Sequence, residues 1–335
     1  MTKFIFAILG LCIASSASAV PTDELLYKIT KHVVKVHAAL TNGSYGSGSG
    51  VIVAKDRIVT NCHVVANATG ISVSSGGRFY QATSISPDWY HDVCIVKVEG
   101  LDAPIATIGS SNNLQYEQAV YAIGYPNFSP APVSTYGYVK GLFKMDDSVI
   151  VRASSTFRLG ASGGGLFDDK GHLVGIITLK SPGRHAYYYN MPVEWVQTLL
   201  KQPEQDIGAK SAPAFWASQA DQWPFFMQVV QPYLTENWSA LMKVAKKWTA
   251  EEPNNIEAWF YLAAAEYANH DKVNAEAHMK KVTAMNAQHS QAIYYLGLIA
   301  EENGKHMEAL TNIALLTTLD AEAASKLKSK ISGLN

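Results

Sequence analysis

Hydrophobic and polar positions follow two different patterns along the chain, and the change falls near residue 200. From about residue 33 to residue 195, short runs of β-branched and aromatic residues are separated by clusters of Gly, Pro, Asn, Asp and Ser, which is typical of strands joined by turns. The runs 57–60 (RIVT), 93–98 (VCIVKV) and 173–179 (LVGIITL) are mostly apolar at consecutive positions, which fits strands buried on both faces. This part of the chain predicts a β-barrel or β-sandwich.

Beyond residue 220 the apolar residues recur with a helical period, and the pattern repeats. The segment 258–262 (AWFYL) returns as 292–296 (AIYYL), and Ala275 returns as Ala309, each after 34 residues. An offset of 34 residues is the period of tetratricopeptide repeats, which stack pairs of helices. A degenerate earlier copy over about 225–253 brings the number to roughly three. Residues 221–335 are therefore predicted to form an α-helical, TPR-like domain.

Two segments flank the strand-rich region, one before it and one after it. Residues 1–19 have a charged start at Lys3, an apolar run and a small-residue step that ends at Ala19, as an export signal does. The run is shorter than the roughly 20 residues that span a bilayer. We expect a periplasmic or secreted protein without a membrane span, with a β-domain over 20–202. Residues 203–220 are polar and contain Pro and Gly, so they are predicted to be a linker.

Charge excludes several classes of partner. The chain carries 27 basic and 28 acidic residues and a net charge of −1. Without a strong overall field, charge alone recruits neither nucleic acid nor an anionic membrane. We therefore expect specific protein or peptide partners and no nucleic acid.

A serine, a histidine and an aspartate carry the candidate chemistry. Ser162 lies in the glycine-rich run 159–168 (LGASGGGLFD), in which Gly160 and Ser162 are the expected backbone N–H donors to an oxyanion. His63 follows one apolar run, and Asp92 precedes another. Taken singly, each residue is explained without catalysis: Ser162 as part of a glycine-rich loop, His63 as a core or strand-end residue and Asp92 as a turn residue. The order His, Asp, Ser at strand edges is that of chymotrypsin-type proteases, which need no metal or organic cofactor.

Five segments resemble HtrA/Deg-type serine proteases in the right order. They are 46–52 (GSGSGVI), 60–65 (TNCHVV), 121–126 (YAIGYP), 160–166 (GASGGGL) and 189–193 (YNMPV). The resemblance implies a chymotrypsin-like pair of six-stranded antiparallel β-barrels with the triad in the cleft between them. The predicted fold class is thus multidomain, with this double barrel followed by the helical repeats, which stand where HtrA proteases carry a PDZ domain.

The same resemblance implies a substrate pocket and one departure. It places Thr156 at the base of the pocket and Thr178, Leu179 and Lys180 along its wall, where the lack of an acidic residue argues against a trypsin-like preference for basic side chains. HtrA-type enzymes usually have Asn just before the nucleophile, where this chain has Ala161. We expect a less rigid nucleophile loop.

Cys62 and Cys94 flank two of the predicted catalytic residues. Because the His63 and Asp92 side chains must meet, the neighbouring backbones are expected to lie close together. Two interpretations stay open, a disulfide that joins the two strands and a pair of buried thiols that pack as apolar groups.

The sequence supports hypotheses of different classes. The leading one is an exported serine endopeptidase that acts through an acyl-enzyme, with helical repeats that recruit a substrate or partner. The alternative is a repeat-based adaptor or chaperone with a weakly active or vestigial protease domain. A third is acyl transfer of the esterase type by the same triad. Trp216 and the other tryptophans beyond residue 200 are expected to pack between the repeats and against the protease domain.

Overall fold

The structure is a computed structural model that describes residues 22–127, 129–183 and 186–331. The predicted export signal and its cleavage position after Ala19 lie outside the described residues. Within these ranges, no helix is both long and apolar enough to cross a membrane.

Helix α1 (Asp23–Thr30) leads into the first closed barrel, whose strand order is β1-β2-β3-β6-β5-β4. Its strands are β1 (Val33–Leu40), β2 (Tyr45–Ala54), β3 (Arg57–Thr60), β4 (Ala68–Ser75), β5 (Arg78–Asp88) and β6 (Val93–Val98), with the single-turn helix α2 (Cys62–Val65) between β3 and β4. On β3, Ile58 belongs to this barrel's own core, whereas Val59 belongs to the apolar cluster shared with the second barrel. Both faces of the strand are therefore buried, as the consecutive apolar residues predict.

The second closed barrel has the strand order β10-β11-β12-β9-β8-β7. Its strands are β7 (Ala119–Gly124), β8 (Val133–Met145), β9 (Ser148–Ala153), β10 (Gly165–Asp168), β11 (Leu173–Lys180) and β12 (Tyr188–Pro192), and helix α3 (Val193–Leu199) follows. All strand pairs in both barrels are antiparallel. The predicted double barrel is thereby confirmed.

The chain continues into helices that begin at regular intervals. They are α4 (Phe225–Gln228), α5 (Val230–Leu234), α6 (Trp238–Glu251), α7 (Ile256–Ala268), α8 (Lys272–Met285), α9 (Ser290–Glu302), α10 (His306–Leu319) and α11 (Ala321–Lys330). Helices α6, α8 and α10 begin 34 residues apart, and so do α7 and α9. Side chains cap most of these helices. Asn255, for example, accepts hydrogen bonds from the first backbone N–H groups of α7.

The helices pack directly on the second barrel. The Phe143 ring of β8 stacks on Phe226 with ring centroids 4.7 Å apart and lies 6.5 Å from Trp248. Beside these rings, the guanidinium of Arg152 lies 3.5 Å from the carboxylate of Glu257 on α7, and both side chains are almost fully buried. Burial alone would raise the pKa of Glu257, but the Arg152 charge together with His289 and the Tyr116 hydroxyl outweighs burial and holds that pKa below its usual range. Barrel and helices therefore share one core.

The predicted linker is attached along the first barrel. Glu204 accepts hydrogen bonds from Arg57 and Ser84, and Gln205 exchanges two backbone hydrogen bonds with Ile85 of β5. Further on, the Phe215 N–H donates to Tyr90 O at 2.9 Å. We call residues 203–218 the strap, because the segment runs over the first barrel before the chain enters the helices.

Candidate active site

His63 and Asp92 meet at the edge of the first barrel. β3 ends at Thr60 and the single turn of α2 carries His63, while Asp92 has a left-handed φ of 60° just before β6. Asp92 Oδ2 lies 2.6 Å from His63 Nδ1, and Asp92 Oδ1 accepts a 2.8 Å hydrogen bond from the His63 backbone N–H. The Asp92 side chain is 1% exposed, whereas the His63 side chain is 36% exposed. A buried carboxylate thus orients an imidazole that remains accessible.

Two links hold this pair in place. The Asn61 side-chain amide donates to Asp92 O and to Thr178 Oγ1, each at 2.8 Å. Cys62 and Cys94 form a disulfide with their Cα atoms 4.9 Å apart. Of the two interpretations that the sequence left open, the disulfide is the one found, and it ties the turn that carries His63 to the strand that follows Asp92.

His91, next to Asp92, connects the two barrels. Its Nδ1 lies 2.6 Å from Asp88 Oδ2 and its Nε2 lies 2.9 Å from Asp146 Oδ2. The ring also lies 3.9 Å from the ring of Trp195. Burial lowers the pKa of His91, but the two carboxylates outweigh burial and raise that pKa above its usual value.

Ser162 lies in the loop before β10, close to the His63 turn. Gly163 has a φ of 86°, and its Cα faces Ser49 O, Thr60 Oγ1 and Asn61 N so closely that a side chain would collide with them. Ser162 itself is partly exposed. Among the hydrogen bonds of the described residues, none joins Ser162 Oγ to the His63 ring. Such bonds are often long in ligand-free sites and tighten when substrate binds.

Two backbone N–H groups in the nucleophile loop, those of Gly160 and Ser162, are the predicted oxyanion donors. The Asn127 N–H donates to Leu159 O at 2.7 Å. Because C=O and N–H point in opposite directions in a trans peptide, this bond turns the Gly160 N–H away from Asn127. Neither the Gly160 N–H nor the Ser162 N–H donates a hydrogen bond within the part of the chain that the structure describes. Both remain available for a ligand.

Ser49, on β2, fastens the nucleophile loop to the first barrel. Its Oγ donates to Gly160 O at 2.8 Å and accepts from the Tyr125 N–H at 2.7 Å. Its backbone N–H donates to Ser162 O at 2.7 Å, and its carbonyl accepts from Thr60 Oγ1 at 2.7 Å. Ser49 is fully buried. The sequence analysis missed this role, and the signal for it is a serine between two glycines in the segment 46–52.

Ala161 is anchored by packing. Its side chain is 2% exposed and belongs to the apolar core of the second barrel. Its N–H donates to Arg158 O and its carbonyl accepts from the Gly164 N–H. The expectation of a less rigid loop rested on the lack of a polar side chain at this position, and here apolar burial and two backbone bonds replace such a side chain.

The four predicted pocket residues lie in different settings. Thr156 is exposed and lines a cavity of about 410 Å³ together with Phe157 and Ala161. Thr178 is 5% exposed and its hydroxyl contacts Asn61 and Ile176 O, so it supports the His63 turn. Leu179 is partly buried and Lys180 is exposed. Within the described ranges, no group of three or more His, Cys, Asp or Glu side chains is arranged to hold a metal ion.

Comparison with known families matches the barrel region. Residues 48–176 match the family model described as "Trypsin-like peptidase domain". The matched residues run from β2 of the first barrel to β11 of the second.

Two proteins similar to this chain are proteases by name. The chain is 33% identical over 167 residues to a "Probable periplasmic serine endoprotease DegP-like" of Pseudomonas putida, and the match covers 48% of this chain and 35% of the relative. A protein of the same name from Hahella chejuensis is 34% identical over 172 residues, which cover 49% of this chain and 36% of the relative. The match thus spans little more than a third of each relative.

A solved structure of the Rv3671c protease from M. tuberculosis, in its active form, is also similar. It has 20% sequence identity and a TM-score of 0.49, and the match covers 64% of this chain and 96% of that chain.

Proposed function

We propose that this protein is a serine endopeptidase that cleaves protein substrates through His63, Asp92 and Ser162. The observation that carries the proposal is the double contact of the Asp92 carboxylate with the ring and the backbone N–H of His63, beside the loop of Ser162. The match of residues 48–176 to a peptidase domain supports it.

In this proposal His63 is the general base and then the general acid. Asp92 holds the proton on Nδ1, so the lone pair on Nε2 accepts the Ser162 hydroxyl proton as Oγ attacks the substrate carbonyl carbon. Collapse of the tetrahedral intermediate breaks the C–N bond, and His63 donates the proton to the leaving amine. Water then attacks the acyl-enzyme in the same way and regenerates Ser162.

The free N–H groups of Gly160 and Ser162 supply the oxyanion hole. They would donate to the carbonyl oxygen as it gains negative charge, and loss of one such donor costs about 10²–10³-fold in turnover. The hydrogen bond from Asn127 to Leu159 O supports this role, because it turns the Gly160 N–H away from Asn127.

We further propose that the protein is exported, with cleavage near Ala19. The charged start, apolar run and small-residue site of residues 1–19 support this proposal, and so does the word periplasmic in the names of the relatives. Residues 20–202 would then be the peptidase domain, 203–220 the connection and 221–335 the TPR-like repeat domain.

The repeats are proposed to recruit a protein substrate or partner. The 34-residue spacing of the helices supports a TPR-like domain. Part of its surface is already occupied within the chain, since Glu257 and Tyr261 of α7 contact Arg152 of the second barrel. Recruitment would therefore use the faces that point away from the barrel.

Labelling with a fluorophosphonate tests the proposal, because the reagent phosphonylates only an activated serine Oγ. We expect wild type to react and Ser162→Ala to remain unlabelled with an unchanged circular dichroism spectrum. The matched control is Ser329→Ala, which removes an exposed hydroxyl on α11 and is expected to label like wild type.

Digestion of denatured proteins completes the test. Cleavage by wild type and not by Ser162→Ala supports an endopeptidase. An unlabelled wild type would overturn the enzyme proposal and favour the adaptor or chaperone. Labelling without cleavage would favour acyl transfer.

A further inference from the structure

We propose that Trp216, which belongs to the strap and to neither barrel, walls the substrate subsite beside His63 and restricts it to small side chains. The inference rests on the proposed function. It gives the segment that links the barrels to the helices a direct part in substrate selection.

Trp216 contacts the predicted general base. The centroids of its ring and of the His63 ring are 5.7 Å apart, and the two planes meet at 86°. Aromatic rings in a perpendicular arrangement at this distance are in van der Waals contact. Asp92 fixes the orientation of the His63 ring through Nδ1, and Trp216 contacts the same ring. A substrate side chain that packs against the His63 ring would therefore also contact the indole of Trp216.

The backbone around Trp216 is fixed on both sides. Phe215 is 4% exposed, donates its N–H to Tyr90 O and packs 5.9 Å from the Tyr90 ring. Ser218 Oγ donates to Phe215 O at 2.6 Å, and the Trp223 indole donates to Ser218 O at 3.0 Å. Tyr90 and Asp92 lie in one loop, so the same loop positions both Trp216 and the carboxylate that orients His63.

The indole narrows access to His63 without closing it. With Trp216 in contact, the His63 side chain is still 36% exposed, which a covering lid would not permit. The Trp216 Nε1 atom is buried and has no hydrogen-bond partner among the described residues. Packing therefore holds the indole. We expect a smaller apolar side chain at this position to keep the hydrogen bonds of the strap and to enlarge the space beside His63.

A peptide library read out by mass spectrometry tests the inference on the full-length protein. We expect Trp216→Ala to raise relative cleavage of peptides with Leu or Phe at one position near the scissile bond by about 10-fold, in line with the discrimination that apolar pockets achieve. Trp216→Phe is expected to give a smaller gain at the same position. The matched control is Trp259→Ala, on α7 with Lys281 over its ring, which should leave the profile unchanged.

The outcomes separate this inference from the proposed function. A wild type that cleaves with the same positional profile as both Trp216 variants overturns the inference and leaves the endopeptidase intact. A wild type that cleaves nothing overturns both. If Trp216→Ala does not fold, Trp216→Phe decides alone, and an unchanged profile for it overturns the inference.

Discussion

Replacement of Ser49 by alanine removes the hydroxyl that joins the nucleophile loop to the first barrel. The change leaves the buried Gly160 O without its donor and the partly buried Tyr125 N–H without its acceptor. The two backbone bonds of Ser49, to Ser162 O and from Thr60, remain. The variant thus isolates the part of the network that orients the Gly160 peptide.

The magnitude follows from the two lost bonds. A buried polar group left without a partner costs about 1–3 kcal/mol, so we expect Ser49→Ala to lose about 2–4 kcal/mol of unfolding free energy. Catalysis should fall as well, because a Gly160 peptide that is free to turn points its N–H at the oxyanion for less of the time. Complete loss of such a donor costs about 10²–10³-fold, so we expect kcat to fall by about 10-fold or more while KM changes little.

Urea unfolding and burst kinetics with a chromogenic ester measure the two effects. The matched control is Ser44→Ala, in the turn before β2, where the hydroxyl is exposed and donates to the nearby Asn42; it should change neither quantity by much. If Ser49→Ala loses stability but retains kcat within two-fold of wild type, the oxyanion peptide does not depend on Ser49 and the reasoning is wrong.

Two further predictions concern the surroundings of His63 and Asp92. Conversion of Cys62 and Cys94 to alanine should cost about 3.7 kcal/mol of unfolding free energy, as expected for opening a loop of 32 residues, and should lower ester turnover. Equal urea midpoints for the variant and the oxidised wild type would contradict this. Because its two carboxylate partners raise the pKa of His91 above 6.5, the stability that wild type gains over His91→Gln should be complete below about pH 6.5 and decline as pH rises through the raised pKa. Urea unfolding between pH 5 and 9 measures this difference, and a difference that grows with pH would refute it.

The sequence predicted those features that depend on residues close together in the chain or on a regular repeat. His63, Asp92 and Ser162 each lie in a short motif next to a strand. The consecutive apolar residues of β3, β6 and β11 reflect burial on both faces of those strands. The 34-residue offset likewise gave the spacing of the helices, because each copy carries the same helical apolar pattern.

The residues that the sequence analysis missed act over long distances. Ser49 looks like one residue of a flexible glycine run, and its partners Gly160 and Tyr125 are remote in the chain. Trp216 lies in a segment whose Pro and Gly content predicts a linker, yet Glu204, Gln205 and Phe215 bind that segment to the first barrel. The Pro and Gly content of the strap indicates that it lacks helices and strands. It does not indicate whether the segment is bound to the barrel.

The ion pair of Arg152 and Glu257 has a consequence for how the chain unfolds. Detachment of the helices from the second barrel would separate these two charges and would also expose the packed rings of Phe143, Phe226 and Trp248 to water, which is unfavourable by about 25 cal/mol for each Å² of apolar surface. We therefore expect barrels and helices to unfold in a single transition. Heat or urea should disassemble barrels and helices together. Loss of the helices after a cut within the strap would expose the Phe143 ring, which packs on Phe226 and Trp248, and would favour aggregation.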